Sequence, residues 1–178
     1  MIVVSGLPRS GTSLMMGMLE AGGVPVFTDN VRGPNIHNPK GYREVEEIGK
    51  KLAEDNNYLS RDKTLTCVKV LSPFLRHLGG SHRVIYMERE IGEIAASMQK
   101  MSETPVTSLQ KDALEKHVEN MKQYLNSHIL LETIYINYNQ LVTDPRPEIE
   151  KLGFFIPELE MIKSLGVIDK RLYRNRHP

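Results

Sequence analysis

At 178 residues the chain falls in the range of a single domain, long enough to bury a core but without room for a second full domain. Its 23 Lys and Arg against 22 Asp and Glu leave a net charge of +1, which excludes bulk electrostatic attraction to nucleic acid or a membrane surface, so any anionic ligand must be held locally. The lone Cys67 excludes an internal disulfide and lies in an apolar run that reads as core.

The first stretch, Met1-Ile-Val-Val-Ser-Gly6, has the apolar and small residues of a buried strand. No basic segment or signal-like apolar core precedes it, and no apolar run approaches the roughly 20 residues of a membrane span. These features predict a soluble, cytoplasmic chain. A helix from about Ser10 to Gly22 follows, with Leu14, Met15, Met18 and Leu19 as its apolar stripe and Gly22-Gly23 as its stop. Val24 to Phe27 reads as a short second strand, and Thr28 to Gly41, rich in Asn, Asp, Pro and Gly, as the longest irregular loop. Tyr42 to about Asn56 carries helical spacing at Val45, Ile48, Leu52 and Ala53.

Leu65 to Leu71 is a β-rich run, and Ser72-Pro73 opens a short helix to His77 or Leu78. Arg83 to Glu88 is the next strand, backed by a helix marked at Ile91, Ile94, Ala95, Met98 and Met101. A longer helix spans Val106 to Ser127 with Leu109, Ala113, Val118, Met121 and Leu125 inward. Ile129 to Ile136 is the last strong strand, and helical pieces broken at Asp144-Pro145 and Ile156-Pro157 complete the chain. Strands alternating with long crossovers predict an α/β fold: a three-layer parallel sheet with helices on both faces. Ligands of such sheets sit at the carboxyl ends of the strands, so Gly6 to Thr12, Ser72 to Leu75 and Glu88 to Glu90 are expected to converge on one crevice.

Gly6 and Gly11 bracket four residues between strand and helix, as in a phosphate-binding loop of the Walker A type, where backbone N–H groups and a helix N-terminus cradle an anion. The pattern departs from that type after Gly11. A Walker loop continues with Lys and a hydroxyl residue, whereas this chain has Thr12 and Ser13, and its loop cation is Arg9. In ATPases and kinases the Lys reaches the β- and γ-phosphates and an acid at another strand end supports Mg²⁺. Thr12 cannot replace that Lys, and Glu88, the acid ending a strand, is followed by Arg89 and reads equally as half of a surface charge pair. Arg9 is a permanent planar cation suited to charge developing on a leaving phosphate.

Leu7-Pro8-Arg9-Ser10-Gly11-Thr12-Ser13 resembles the 5′-phosphosulfate loop of sulfotransferases that use 3′-phosphoadenosine-5′-phosphosulfate (PAPS). A strand-closing Arg and a Ser eight positions on, which grip the 3′-phosphate in that family, look like Arg89 and Ser97. Eight helical residues rise about 12 Å, so spacing alone does not pair these two, and the pairing is what the resemblance implies. Taken singly, Ser97 reads as a small helix residue near the core and Arg89 as a solvated cation. Tyr138-Asn-Gln-Leu-Val-Thr-Asp-Pro145 is similar to a late Tyr-Glu-Asp-Leu-x-x-Asp-Pro segment, with Asn139-Gln140 replacing its acidic pair. Asn38-Pro-Lys-Gly-Tyr-Arg-Glu44 looks like an Asn-Pro-x-Gly-aromatic-x-Glu element of bacterial members.

The resemblance implies a PAPS-dependent, metal-free sulfuryl transfer to a hydroxyl or amine of a small or extended acceptor, with Pro8 to Ser13, Arg89, Ser97 and a tail arginine, Arg174 among Arg171, Arg174 and Arg176, on the donor. The base is less direct. The His of the family's Lys-Thr-His-Leu-Pro segment aligns with Leu71 in Lys69-Val-Leu-Ser-Pro73, and resemblance to other branches, which use a Glu from the region after the first helix, implies Glu44 as the base, with His37 and His77 as alternatives. Two other readings remain at this point: a P-loop nucleotide or small-molecule kinase, and a non-catalytic adenosine-bisphosphate-binding module.

Overall fold

The computed structural model describes residues 1–61 and 66–174. Four strands form one all-parallel sheet in the order β2-β1-β3-β4: β1 Ile2–Gly6, β2 Cys67–Lys69, β3 His82–Glu88 and β4 Leu131–Asn137. β1 is central, pairing Val3 with Val68 on one side and with Val84 on the other. All five β1 residues are buried, which suits a strand paired on both sides and covered on both faces. The period of two divides its side chains. Ile2 and Val4 join Ile85 and Met87 in one core with helices α1 (Thr12–Ala21), α5 (Tyr138–Thr143) and α6 (Arg146–Phe155). Val3 joins Val84 and Tyr86 in the opposite core with α2 (Ile48–Glu54), the 3₁₀ segment Ser72–His77 and α4 (Ser108–Ser127). This is the expected three-layer α/β arrangement. Because the chain leaves β1 first toward β2 and later toward β3 on its other side, the strand order reverses at the carboxyl end of β1.

Several local expectations are corrected. Val24 to Phe27 contributes only a single bridge, Val26 to Cys67, because Pro25 cannot donate to a ladder. The helix expected from Tyr42 starts at Ile48 instead. Gly41, Arg43 and Glu47 all have positive φ (81°, 46° and 55°), and the backbone from 42 to 47 is drawn toward the sheet by long-range hydrogen bonds that override local spacing. In α4 the inward face is Met121 and Leu125, whereas Val118 is half-buried, Leu109 is 77% exposed and Ala113 is exposed. Ile129 is 97% exposed and lies outside β4. Leu65, the expected first residue of the β-rich run Leu65 to Leu71, lies outside the described residues.

Helix α3 (Ile91–Ser102) and the breaks at Asp144-Pro145 and Ile156-Pro157, which separate α5, α6 and α7 (Met161–Leu165), follow the sequence reading. Cys67 is buried in the core, which pushes its thiol up to about 12. No helix among the described residues is long and apolar enough to cross a membrane.

Candidate functional site

The loop between β1 and α1 turns through two left-handed residues, Arg9 at φ 72° and Gly11 at φ 101°. At Gly11 the close approach is as demanding as the backbone angle, since a Cβ there would run into the Tyr138 ring. At Arg9 a non-glycine residue holds a conformation that costs on the order of 1 kcal/mol or more. It is fixed from both ends: its carbonyl accepts from Arg89 Nη1 at 2.9 Å, and its guanidinium makes two further bonds. Helix α1 has no side-chain cap, so the N–H groups of its first turn remain available to an anion. A cavity of about 200 Å³ opens beside that helix end, with Pro8, Arg9, Gly11, Thr12 and Ser13 in its wall.

Ser10 is not part of that wall. It is 1% exposed, its hydroxyl is buried without a hydrogen-bond partner among the described residues, and it borders a second crevice of about 500 Å³ behind the loop.

Arg9 joins the two residues that resemblance alone had paired. Arg9 Nε donates to Ser97 Oγ at 2.8 Å, while Arg89 holds the Arg9 carbonyl. Burial lowers the Arg9 guanidinium from its ordinary value, without bringing it near neutrality. Ser97 is 2% exposed and lines the cavity, as does Arg89. The Arg89 guanidinium lies 4.4 Å from the Tyr138 ring centroid and donates from Nε to Glu93 Oε2 at 2.9 Å, an ion pair with both side chains buried. Glu93 in turn accepts from the Tyr173 hydroxyl at 2.7 Å, and Tyr173 accepts from Asn139 Nδ2 at 2.8 Å. Burial, then the bond to Glu93, raises the Tyr173 phenol, so it remains a proton donor at neutral pH.

Glu44 reaches the cavity from the opposite wall. Its two oxygens are occupied, Oε2 by Lys69 Nζ at 2.5 Å and Oε1 by Arg32 Nη1 at 2.8 Å. Lys69 is 3% exposed and also donates to the Tyr42 carbonyl at 2.5 Å. Burial lowers the Lys69 ammonium, and its bond to Glu44 works against that shift. Ser13 Oγ donates to the same carbonyl at 3.2 Å, so the Asn38–Glu44 element is tied to both the loop helix and β2.

Residues 28–41 cross the cavity as a strap. The Arg9 Nη2 donates to the His37 carbonyl at 3.0 Å and the Arg174 Nη2 to the Ile36 carbonyl at 3.2 Å, while Lys40 Nζ reaches the Val167 carbonyl at 2.6 Å. Seven Lys and Arg residues line this cavity against two carboxylates, Glu44 and Asp169, a concentration of positive charge in a chain of net charge +1. That imbalance suits a polyanion.

Of the expected site residues, Pro8, Arg9, Gly11, Thr12, Ser13, Glu44, Arg89, Ser97 and Arg174 share this one cavity, and His37 lines it too. His77, exposed at the end of the 3₁₀ segment, is not in the wall. Arg171 forms a two-pronged pair with Asp169 at the surface, and Arg176 lies outside the described residues.

The expected convergence of three segments is corrected in two places. Leu71 rather than Ser72 to Leu75 reaches the cavity, because Ser72 is turned into the core beside Tyr86 and His117. Glu88 and Glu90 border the crevice behind the loop, where Glu88 pairs with Lys122. Sequence reasoning missed Lys69, Glu93 and Tyr173. A charged residue inside the apolar run Cys67–Val70 was the available signal for Lys69, since a Lys there must be paired when buried.

No protein-family model matches the sequence, and no curated protein matches it. Among solved structures the fold is similar to the sulfotransferase domain from the curacin biosynthetic pathway, with a TM-score of 0.54, 15% identity, and coverage of 99% of this chain and 91% of that one. It is similar also to the sulfotransferase domain from the Synechococcus PCC 7002 olefin synthase, with a TM-score of 0.51, 15% identity, and coverage of 100% and 77%. A sugar kinase from Janibacter sp. HTCC2649 aligns over 96% of both chains at 14% identity and a TM-score of 0.46. The chain therefore has a sulfotransferase-like α/β fold.

Proposed function

We propose that the protein is an enzyme that moves a sulfuryl group from PAPS to an acceptor hydroxyl or amine. One observation carries this reading: the Arg9 guanidinium meets Ser97 Oγ at 2.8 Å at the uncapped start of α1, with Arg89 bonded to the Arg9 carbonyl. A cationic loop with Thr12 in the Lys position suits a donor whose leaving group develops charge on a bridging oxygen and needs no metal. The residues suit a ligand with two phosphate groups. Open first-turn amides and Arg9 offer one anion site, and Arg89 with Ser97 offers a second.

In this reading Arg9 and the amides of Gly11 to Ser13 stabilise the departing bisphosphate, while Arg174 adds charge from the C-terminal segment. Glu44 takes the proton of the acceptor, exchanging Arg32 or Lys69 for the incoming hydroxyl or amine, and His37 is the second candidate base on the same cavity. The acceptor enters beneath the strap 28–41. The kinase reading is disfavoured because Glu88, its metal-supporting acid, is paired with Lys122 behind the loop.

The deciding experiment measures thermal stabilisation by adenosine 3′,5′-bisphosphate, PAPS and ATP, with and without Mg²⁺, followed by sulfate transfer to an acceptor panel. The bisphosphate and PAPS are expected to stabilise without metal. Stronger stabilisation by ATP with Mg²⁺ would overturn this reading, and tight bisphosphate binding without turnover on any acceptor would make the protein a binding module.

A further inference from the structure

Arg89 is nearly buried, its side chain 7% exposed, yet most of its donors have no acceptor among the described residues. Of the five N–H groups of a guanidinium, one goes to Glu93 and one to the Arg9 carbonyl, and the others have no acceptor among the described residues. The side chain lines the cavity, so those donors form an oxyanion-binding edge. What orients that edge is unusual for an anion site: a carboxylate, Glu93, sits on the guanidinium.

A buried ion pair is favourable only when further hydrogen bonds satisfy it. Here the second Glu93 oxygen accepts from Tyr173, whose hydroxyl is itself held by Asn139. The Tyr173 and Tyr138 rings stand edge to face at 5.7 Å and 84°, and both flank Arg89, at 5.9 and 4.4 Å. The guanidinium is thereby held in its plane by Glu93 and lies over two aromatic rings. Tyr173 belongs to the C-terminal segment after the 3₁₀ turn Lys170–Leu172, 80 residues from Glu93, so that segment completes the Arg89 site.

We infer that Glu93 and Tyr173 are positioning residues that aim the free edge of Arg89 at the second phosphate of a nucleoside bisphosphate, making the C-terminal segment the determinant of bisphosphate over monophosphate selectivity. The inference rests on the proposed function for the identity of the ligand. Neither residue touches the ligand. Glu93 acts through the Arg89 Nε, and Tyr173 acts through Glu93.

The test compares binding of adenosine 3′,5′-bisphosphate and AMP to the wild-type chain, Tyr173→Phe and Glu93→Gln, by calorimetry, with each variant's unfolding midpoint measured. Tyr173→Phe keeps the ring packing and removes only the hydroxyl. It is expected to weaken the bisphosphate about tenfold, the size of a hydrogen bond to a charged group, while AMP affinity stays within about twofold. Glu93→Gln is expected to show the same selective loss, larger in size. Equal losses for both nucleotides, or no loss for either, would overturn the inference. A wild-type chain that binds the bisphosphate no more tightly than AMP would instead remove the proposed two-phosphate ligand, and the inference with it. If Glu93→Gln fails to fold, Tyr173→Phe decides alone.

Discussion

Arg9 and Ser97, 88 residues apart in the chain, are joined by a 2.8 Å hydrogen bond from the guanidinium Nε to the hydroxyl. The bond ties the loop between β1 and α1 to the second turn of α3, and with the Arg89 bond to the Arg9 carbonyl it makes Arg9 the common partner of the two residues expected on a phosphate.

Arg9→Ala is expected to leave the fold intact and to be nearly silent in turnover. Removing one preorganised donor from a developing oxyanion raises a barrier by about 3 kcal/mol, a rate loss on the order of a hundredfold. Arg9→Lys keeps the charge but cannot reach Ser97 and the His37 carbonyl with one planar group, so an intermediate rate is expected. Steady-state sulfate transfer checks both.

The cavity of about 200 Å³ is below the roughly 300–1,000 Å³ usual for ligands of nucleotide size. Binding is expected to move the strap 28–41, which Arg9 and Arg174 hold by the His37 and Ile36 carbonyls. Phosphate oxygens make stronger bonds to guanidinium than neutral carbonyls do. Tryptic cleavage after Arg32 and Lys40 is expected to accelerate severalfold in saturating adenosine 3′,5′-bisphosphate, measured by mass spectrometry of the fragments. Slower cleavage would show that the strap tightens instead.

Glu44 and Lys69 form a pair in which Lys69 is 3% and Glu44 16% exposed. Glu44→Gln leaves the buried Lys69 ammonium without its counter-charge, with the Tyr42 carbonyl as a neutral acceptor, whereas Lys69→Met leaves Glu44 with Arg32. Glu44→Gln is expected to be the more destabilising, by about 3 kcal/mol, as for a buried charge losing its partner. The double variant is expected to recover part of that loss, and denaturant midpoints of the four chains give the coupling. His37→Asn is expected to unfold at the wild-type midpoint.

His117 links α4 to the turn after β2 through Ser72, with Nε2 at 2.7 Å from the hydroxyl. Burial, and then Arg76, lower this imidazole from its ordinary 6.5. A depressed folded-state value means the fold favours neutral His117, so its contribution is complete above about pH 6.5 and is lost as pH falls toward and through the lowered value. Thermal midpoints measured from pH 7.5 to 5 are expected to fall more steeply for the wild type than for His117→Gln.

The sequence by itself determined the parallel α/β architecture and the loop. Both depend on short-range regularities: the apolar run of β1, the Gly6–Gly11 spacing, the three- and four-residue stripe of α3, and proline breaks in the C-terminal third. Glycine at position 11 was legible for the same reason, since φ 101° is a local demand. Only the tertiary structure decided which charges meet. Lys69 finds Glu44 across 25 residues, Tyr173 finds Glu93 across 80, and Ser72 turns away from the cavity toward His117. Local spacing also failed at 42–47, where helical periodicity lost to hydrogen bonds from Ser13 and Lys69 to the Tyr42 carbonyl. Periodicity reports which face of an element is apolar. It does not encode the partner of a polar group, which is fixed when the sheet order β2-β1-β3-β4 brings distant strand ends together and burial requires each charge to be neutralised there.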